Sequence, residues 1–162
     1  MNRVGAYVGL GANLGQASAT LQAALRVLAA LPGSHLRQAS PVYRSAPVDA
    51  HGPDFFNAVA EISTTLAPLD LLDALQAIEQ DFGRQRPYRN APRTLDLDLL
   101  LYADTVLNTP RLTLPHPRLQ QRAFVLRPLL DLAPGLTAPG LGPLAAYLPA
   151  TADQRLEKLS PP

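Results

Sequence analysis

The sequence predicts an α+β domain of the ferredoxin-like type, in which helices pack on an antiparallel sheet. Segments with strand-like and helix-like patterns follow one another in the order β-α-β-β-α-β. The length of 162 residues and the hydrophobic content of 47% are sufficient for one domain with one hydrophobic core. We expect the core to span residues 4–134, and residues 135–162 to form a tail rich in proline and glycine.

The first half of the chain supplies three strands and one helix of this order. Val4–Leu10 is a short apolar strand that leads into the turn "GANLG". Residues 16–31 are predicted to be helical because leucine and alanine recur at i, i+3, i+4 and i+7 from Leu21 onward, and a Pro-Gly pair follows. His35–Arg44 is a second extended segment, and Phe55–Thr65 alternates like a third strand.

The second half completes the order and adds further elements. A second helix begins near Pro68 and ends at Gly83, and Leu95–Tyr102 is the fourth strand. Extended pieces at Thr105–Leu107 and near Leu112 are candidates for a hairpin that enlarges the sheet. Residues 118–132 have a helical pattern, and the tail contains one further short helix.

The composition limits the classes of function. A net charge of +1 is too balanced for a protein that mainly binds nucleic acid or anionic membranes without specificity. The absence of cysteine excludes disulfides and cysteine-based metal sites or nucleophiles. No apolar stretch reaches the roughly 18 residues of a membrane span, and the first residues lack the pattern of a secretion signal. We therefore expect a cytoplasmic protein whose partners are small molecules rather than nucleic acid or membrane. We also expect a monomer, although composition does not give the oligomeric state.

Two aspartates interrupt the leucines of the fourth predicted strand, "LDLDLLLY". Because side chains alternate across a strand, Asp96 and Asp98 share one face, with their Cβ atoms roughly 6–7 Å apart. Carboxylates at that spacing can hold one divalent cation or two, and oxygen ligands favour Mg²⁺ that also binds substrate phosphates. An edge strand with two solvated aspartates is the alternative interpretation.

Arginines are concentrated just before this strand. Four of them lie in residues 84–93, and eight of the thirteen fall between Arg84 and Arg127. Guanidinium groups bind phosphate through paired hydrogen bonds and stay charged, although a single arginine is usually a solvated surface residue. Together with a Mg²⁺ site, the cluster indicates phosphoryl transfer, and the proline-containing loop is expected to close over a nucleotide.

The glycine-rich segment "GLGANLG" does not match a known phosphate-binding loop. It lacks the G-K-[ST] ending of a Walker loop. Its G-x-G-x-x-x-G spacing, with no acidic residue at the end of the second strand, does not fit a dinucleotide site. We interpret the segment as a tight turn between strand and helix.

Aromatic and polar side chains indicate a second substrate. Phe55 and Asn57 begin the third predicted strand on one face, and Phe124 can supply a second ring. A ring for stacking and an amide for hydrogen bonding suit a flat, polar heterocycle, whereas a core phenylalanine and a capping asparagine are the alternative. His116 lies between two prolines among arginines, where it can donate to a phosphate or have a structural role.

These segments resemble the family of 6-hydroxymethyl-7,8-dihydropterin pyrophosphokinases. The resemblance extends from about Val4 to Pro134 and includes "GLGANLG", "VYRSAP", "FFNAV", "APRTLDLDLLLY" and "LTLPHPRLQQRAFVLRPL". It implies transfer of a pyrophosphoryl group from ATP to the 6-hydroxymethyl oxygen of the pterin, with AMP leaving, in folate biosynthesis.

The resemblance also implies roles for individual residues. Asp96 and Asp98 are the implied ligands of two Mg²⁺ ions that bridge the ATP phosphates. The implied arginines of the catalytic loop are Arg84 and Arg93. The implied ATP-binding residues are Gln76, Glu79, Arg86, Leu99, Arg111, Thr113, His116 and Arg122. The implied pterin-binding residues are Ser45, Ala46, Val48, Phe55, Asn57 and Phe124.

Two other functions are compatible with a ferredoxin-like domain. A module that binds single-stranded RNA would present aromatic residues on adjacent central strands and a basic face, whereas the fourth strand here presents aspartates. A Mg²⁺-dependent phosphohydrolase would use water in place of the pterin hydroxyl. The segment that departs most from the family pattern is Asn90-Ala91, where many members have Trp-Gly.

Overall fold

The computed structural model describes residues 3–13, 16–46, 53–83 and 95–159. Outside these ranges lie the loop position Asn90 and four residues of the predicted site: Val48, Arg84, Arg86 and Arg93. Within the described ranges, no helix is long and apolar enough to cross a membrane.

Ten strands and three α-helices are present in the described part of the chain. In chain order they are β1 (Val4–Ala12), α1 (Ala17–Ala29), β2 (Ser34–Ala39), β3 (Tyr43–Ser45), β4 (Phe55–Thr64), α2 (Pro68–Gly83), β5 (Asp96–Tyr102), β6 (Leu107–Asn108), β7 (Thr113–Leu114), α3 (Ala123–Leu132), β8 (Thr137–Ala138), β9 (Gly142–Pro143) and β10 (Leu156–Lys158). Three 3₁₀ turns lie at Leu119–Gln121, Leu144–Tyr147 and Pro149–Thr151. The predicted α+β class and the β-α-β-β-α-β order are confirmed.

Six strands form one antiparallel sheet in the order β10-β3-β4-β1-β5, and β2 also pairs with β4. Strand β4 accommodates two neighbours on one side because β3 pairs with its start and β2 with its end. Between them, the Ser40 backbone N–H donates to the Val59 carbonyl at 2.8 Å, and the Val59 N–H donates to Ser40 Oγ at 2.9 Å. Pro41 has no N–H to continue the ladder, so the predicted single segment His35–Arg44 is two strands.

Both faces of the sheet are covered by other elements. On one face, alternate residues of β1 such as Val8 and Leu10 pack against α1 and α2, represented by Leu21 and Leu75. On the other face lies α3, whose Leu126 belongs to a second buried cluster with residues of the sheet and the tail. The sheet is therefore the middle of three layers, and α3 lies opposite the first two helices.

The predicted helix 118–132 is interrupted at Arg122, which has extended backbone angles, φ −121° and ψ 116°. A 3₁₀ turn, Leu119–Gln121, precedes the break, and α3 begins after it at Ala123. In a continuous helix the Ala123 N–H and the Gln121 carbonyl would bond to residues four positions away. Both groups bind the side chain of Gln154 instead, with the Ala123 N–H donating to Oε1 and Nε2 donating to the Gln121 carbonyl, each at 2.8 Å.

The remaining short strands differ from the prediction in one respect. Strands β6 and β7 pair with each other as a separate sheet and do not enlarge the main one. The tail does enlarge it, because β10 pairs with β3 over three residues. A segment for which the sequence indicates no role therefore lies beside the strands that carry the candidate site.

Candidate functional site

A cavity of about 630 Å³ lies on the α3 side of the sheet, a volume in the range of small-molecule sites. Eight predicted site residues line it: Ser45, Ala46, Phe55, Asn57, Asp96, Asp98, Arg122 and Phe124. They come from β3, β4, β5 and the start of α3, which are far apart in the chain. The fold thus brings together both predicted metal ligands and those predicted pterin-binding residues that the structure describes, which exclude Val48.

The floor of the cavity is the backbone of β1 at two glycines. Gly11 pairs with Asn57 of β4 on one side and with Asp96 of β5 on the other. Since neighbouring strands are about 4.8 Å apart, the Cα atoms of Asn57 and Asp96 are separated by roughly 10 Å. Gly9 occupies the equivalent place in the next row, paired with Asp98. Neither glycine adds a side chain to the cavity floor, although the Leu100 side chain lies 3.5 Å from the place that a Cβ atom of Gly9 would occupy.

This role of the glycines differs from the interpretation of "GLGANLG" as a turn. Strand β1 continues to Ala12, so both Gly9 and Gly11 lie within it. The sequence contains an indication of this role, because glycines alternate with apolar residues at the end of the strand. Buried Val8, Leu10 and Ala12 face one layer, and the glycines face the other. Glycine next to a strand end also suits a turn, and the local pattern does not distinguish the two.

One end of the cavity is built around the amide of Asn57, which is only 5% exposed. Its Nδ2 donates to Ser45 Oγ at 2.9 Å, which fixes the orientation of the amide. Phe55 and Phe124 also line the cavity, and the Arg122 guanidinium lies 5.5 Å from the centroid of the Phe124 ring. A buried, oriented amide with aromatic neighbours can recognise the hydrogen-bonding edge and the faces of a flat heterocycle.

The other end carries the carboxylates of β5. Leu97 and Leu99 are buried on the opposite side of the strand, so the predicted alternation is confirmed. Strand β5 is at the edge of the sheet, and its Leu97 N–H donates to Glu79 Oε2 at 2.8 Å. The side chain of Glu79 on α2 therefore holds the backbone between the two aspartates.

The carboxylate pair has the donor chemistry of a Mg²⁺ site completed by substrate. The described residues contain no group of three or more His, Asp or Glu side chains that could hold a metal by themselves. Mg²⁺ in nucleotide enzymes is commonly held by one or two carboxylates together with waters and phosphate oxygens. Asp96 and Asp98 fit that pattern, and Arg118 and Arg122 in the cavity wall add positive charge for phosphates.

His116 lies beside this end of the cavity. The pKa of His116 is lowered from its ordinary value, mainly by burial. The Asp98 carboxylate opposes this shift, whereas the charges of Arg122 and Arg118 add to it. The backbone N–H of Arg118 donates to His116 Nδ1 at 3.2 Å. The neutral imidazole therefore carries its proton on Nε2, which can donate to an anion.

Four other predicted ATP-binding residues do not line the cavity. Leu99 is buried in the core, and Gln76 is exposed on α2. Arg111 is exposed and forms an ion pair with Asp73 of α2, while Thr113 lies in β7. Their roles toward ATP stay predictions.

Several residues of the cavity wall have no signal in the sequence. Gln154, Arg155 and Leu156 of the tail line the cavity, as does Gln121. The tail reaches this place through the pairing of β10 with β3, a long-range contact that no local pattern indicates.

Residues 7–134 match the family model described as 7,8-dihydro-6-hydroxymethylpterin-pyrophosphokinase (HPPK). The chain belongs to this family. HPPK relatives from two bacteria carry the name 2-amino-4-hydroxy-6-hydroxymethyldihydropteridine pyrophosphokinase. The Pseudomonas aeruginosa protein is 50% identical over 154 residues, covering 94% of this chain and 95% of the relative. The Haemophilus influenzae protein is 42% identical over 157 residues, covering 96% of this chain and 98% of the relative.

Solved structures show the same HPPK fold. A crystal structure of a Plasmodium falciparum HPPK-DHPS protein matches 93% of this chain with a TM-score of 0.76 and 14% sequence identity. The match covers 46% of that protein, so this chain spans less than half of its length. At this identity the likeness concerns the fold alone.

Proposed function

We infer that this chain transfers a pyrophosphoryl group from ATP to the 6-hydroxymethyl oxygen of 6-hydroxymethyl-7,8-dihydropterin and releases AMP, a step of folate biosynthesis. The family and the names of its relatives support this reaction. The observation in the structure that carries the inference is one cavity with an oriented amide and aromatic rings at one end and two carboxylates at the other.

At the first end, we propose that the pterin ring lies between Phe55 and Phe124 with its polar edge at Asn57. The Asn57 amide uses one N–H on Ser45, and it keeps a second N–H and its Oδ1 for the ring. Ala46 and Val48, which follow Ser45 in the chain, complete the proposed pterin site. Burial of the amide makes an unmatched ring costly, which favours a heterocycle with complementary donors and acceptors.

At the second end, we propose that Asp96 and Asp98 hold two Mg²⁺ ions. When bound, the metal neutralises charge on the phosphates and polarises the phosphorus that is attacked. The chain itself contributes orientation, because Glu79 fixes the strand between the aspartates. We propose that Arg122, which lines the cavity, and the Nε2–H of His116, which lies near Asp98, bind the phosphates. Arg84, Arg86 and Arg93 are also proposed to bind the nucleotide.

The proposed ATP site continues beyond the cavity. Gln76 and Glu79 lie on α2, which packs beside β5, and Thr113 and Leu99 lie on β7 and β5. Arg111 pairs with Asp73 of α2 and is near the same helix. A nucleotide extending from the carboxylates around the edge strand β5 toward α2 would approach Gln76, Glu79, Arg111 and Thr113, whereas Leu99, with its side chain buried in the core, could offer only backbone groups. The pterin would occupy the cavity on the other side of the aspartates.

The mechanism rests on positioning and charge neutralisation. The attacking hydroxymethyl oxygen is a poor nucleophile, and holding it in line with the β-phosphorus converts a bimolecular step into a unimolecular one. The roughly 10 Å between the Cα atoms of Asn57 and Asp96 is consistent with a pose in which the substituent of the ring, rather than the ring itself, reaches the phosphate.

The test is incubation with ATP, Mg²⁺ and 6-hydroxymethyl-7,8-dihydropterin, followed by product mass and nucleotide analysis. We expect the pterin to gain the mass of one pyrophosphoryl group and AMP to form in equal amount. The Asp98→Asn variant should lose activity by about a thousandfold, because a preorganised charge at the reacting phosphate is removed. Asp104→Asn, at an exposed position in the turn after β5, is the matched control and should retain wild-type activity.

The possible contrary results are distinct. Formation of ADP or free phosphate in place of AMP would point to another phosphate reaction. A folded Asp98→Asn protein with most of its activity would remove the metal assignment while leaving the reaction itself intact. Equal losses in both aspartate variants would show that a change of net charge, rather than the site, is responsible.

We further propose a cytoplasmic location and small-molecule substrates only, as the sequence predicts. Recovery of the chain with the membrane fraction after lysis would contradict the location.

A further inference from the structure

The start of α3 places two cavity residues on an irregular piece of backbone. Arg122 is the N-terminal flanking residue of the helix, its backbone is extended, and it makes no side-chain capping hydrogen bond. Phe124 lies in the first helical turn. A rotation of the peptide groups on either side of Arg122 would therefore redirect both side chains.

The side chain of Gln154 holds these two peptide groups. Its Oε1 accepts from the Ala123 N–H, and its Nε2 donates to the Gln121 carbonyl, each at 2.8 Å. Both distances are those of well-formed hydrogen bonds. Because an amide group is planar, one side chain bonded through both of its polar atoms fixes the two peptide groups relative to each other.

Gln154 is itself fixed by the tail. Its backbone N–H donates to the Thr151 carbonyl at 3.0 Å, and two residues later β10 begins. Leu156 of β10 pairs with Ser45, the residue whose hydroxyl accepts from Asn57. The tail thereby connects the start of α3 to the opposite wall of the cavity.

We propose that Gln154 is a positioning residue of the active site, which orients Arg122 and Phe124 toward the substrates through the backbone of residues 121–123. It does not contact the reacting atoms in this role. The proposal rests on the proposed function, because the substrates of Arg122 and Phe124 are those of pyrophosphoryl transfer.

The test compares steady-state constants of the Gln154→Leu variant and the wild type. The leucine side chain removes both hydrogen bonds with little change in size, and we expect KM for the pterin and for ATP to rise about tenfold, the effect of losing one or two such bonds. Gln154→Glu keeps an acceptor for Ala123 and loses the donor to Gln121, so its KM values should be intermediate. KM does not depend on the fraction of enzyme that is folded, so a residue that only stabilises the protein would leave it unchanged.

Gln38→Leu is the matched control. Gln38 is also exposed, and its Nε2 donates to Glu61 Oε1 at 2.7 Å and to the carbonyl of Leu132, at the far end of α3, at 3.4 Å. The substitution removes comparable bonds away from the cavity, and its KM values should equal those of the wild type. Melting temperatures of all the variants show how much stability each substitution costs.

Unchanged KM values in Gln154→Leu, or equal increases in Gln38→Leu, would overturn the proposal. If Gln154→Leu does not fold, Gln154→Glu decides, and wild-type KM values in that variant would overturn it. The proposed function has a separate test, because it would be contradicted if the wild-type chain formed no AMP from ATP and the pterin.

Discussion

Gly11 occupies the middle of the cavity floor, between the pairing residues Asn57 and Asp96. A Cβ atom at this position would lie 3.2 Å from Asn57 Oδ1, closer than ordinary van der Waals contact. The amide is held through its Nδ2 by Ser45, and a methyl group at Gly11 would require its Oδ1 to shift by a few tenths of an ångström. The lack of a side chain at this one residue therefore maintains the position of the amide that we propose binds the ring.

Gly11→Ala is expected to raise KM for the pterin about tenfold with little change in melting temperature, since displacement of a positioning group affects substrate more than fold. Gly5→Ala is the control on the same strand and face, where the nearest atom to the new Cβ, Glu61 Oε2, is 3.9 Å away. Steady-state kinetics and thermal unfolding measure both effects. A Gly11→Ala enzyme with wild-type KM would show that Asn57 tolerates the methyl group.

At the scale of elements, β3, β10 and α3 meet at a partly buried hydrogen bond. Tyr43 of β3 is 1% exposed, and its hydroxyl donates to the Asp131 carboxylate of α3. Lys158 of β10 lies 3.4 Å from Asp131 and 5.8 Å from the centroid of the Tyr43 ring. Burial, and then the hydrogen bond to Asp131 and its charge, raise the pKa of Tyr43 well above 10.0. The phenol therefore stays protonated and continues to donate throughout the neutral range.

Tyr43→Phe should lower the free energy of unfolding by about 1.5–3 kcal/mol, the range for a hydrogen bond to a charged group. Tyr147→Phe is the control, because its hydroxyl donates to the uncharged Leu141 carbonyl at 3.0 Å, and about 0.5–1.5 kcal/mol is expected. Urea unfolding gives both values. The pKa of Tyr43 is higher in the folded than in the unfolded protein. The contribution of this hydrogen bond to the free energy of unfolding is therefore fully present below pH 10.0, and it is lost as the pH rises through the pKa of the folded state. Equal decreases in the free energy of unfolding of the two variants at neutral pH would argue that the Tyr43 hydroxyl does not donate to an ionised carboxylate.

At the scale of the whole molecule, the sheet has one face that is fully covered and one that is covered in part. Helices α1 and α2 bury the first face, while α3 and the tail bury the second only beyond the glycine and aspartate rows. Asp98 is exposed and Asp96 is partly exposed, so the outer layer ends where these two side chains project. The cavity is the space that results.

The proposed monomer can be tested at the same scale. Among the described residues, the large apolar side chains that are exposed are Val27, Leu69 and Val106. Isolated exposed apolar residues are normal in monomeric proteins. We expect light scattering to give the chain mass of 17.3 kDa across a range of concentrations. A mass of twice that value would contradict the proposal.

Much of the fold and part of the site were predictable from local sequence patterns. The alternation that separates Asp96 and Asp98 from the leucines is a property of any strand, as is the common face of Phe55 and Asn57. The helices followed in the same way from periodicity. The break at Arg122 was not predictable, because residues 118–132 have a helical pattern and the bonds that interrupt it come from Gln154, 31 and 33 residues away from its partners.

By itself, the sequence determined the order of the elements, the face on which each strand side chain lies and the chemistry of the carboxylates, all of which depend on spacing along the backbone. Only the tertiary structure decided that Gly9 and Gly11 form a floor and that the tail forms a wall holding the start of α3. Strand pairing and side-chain contacts between distant segments depend on the packing of the whole chain, which local periodicity does not contain.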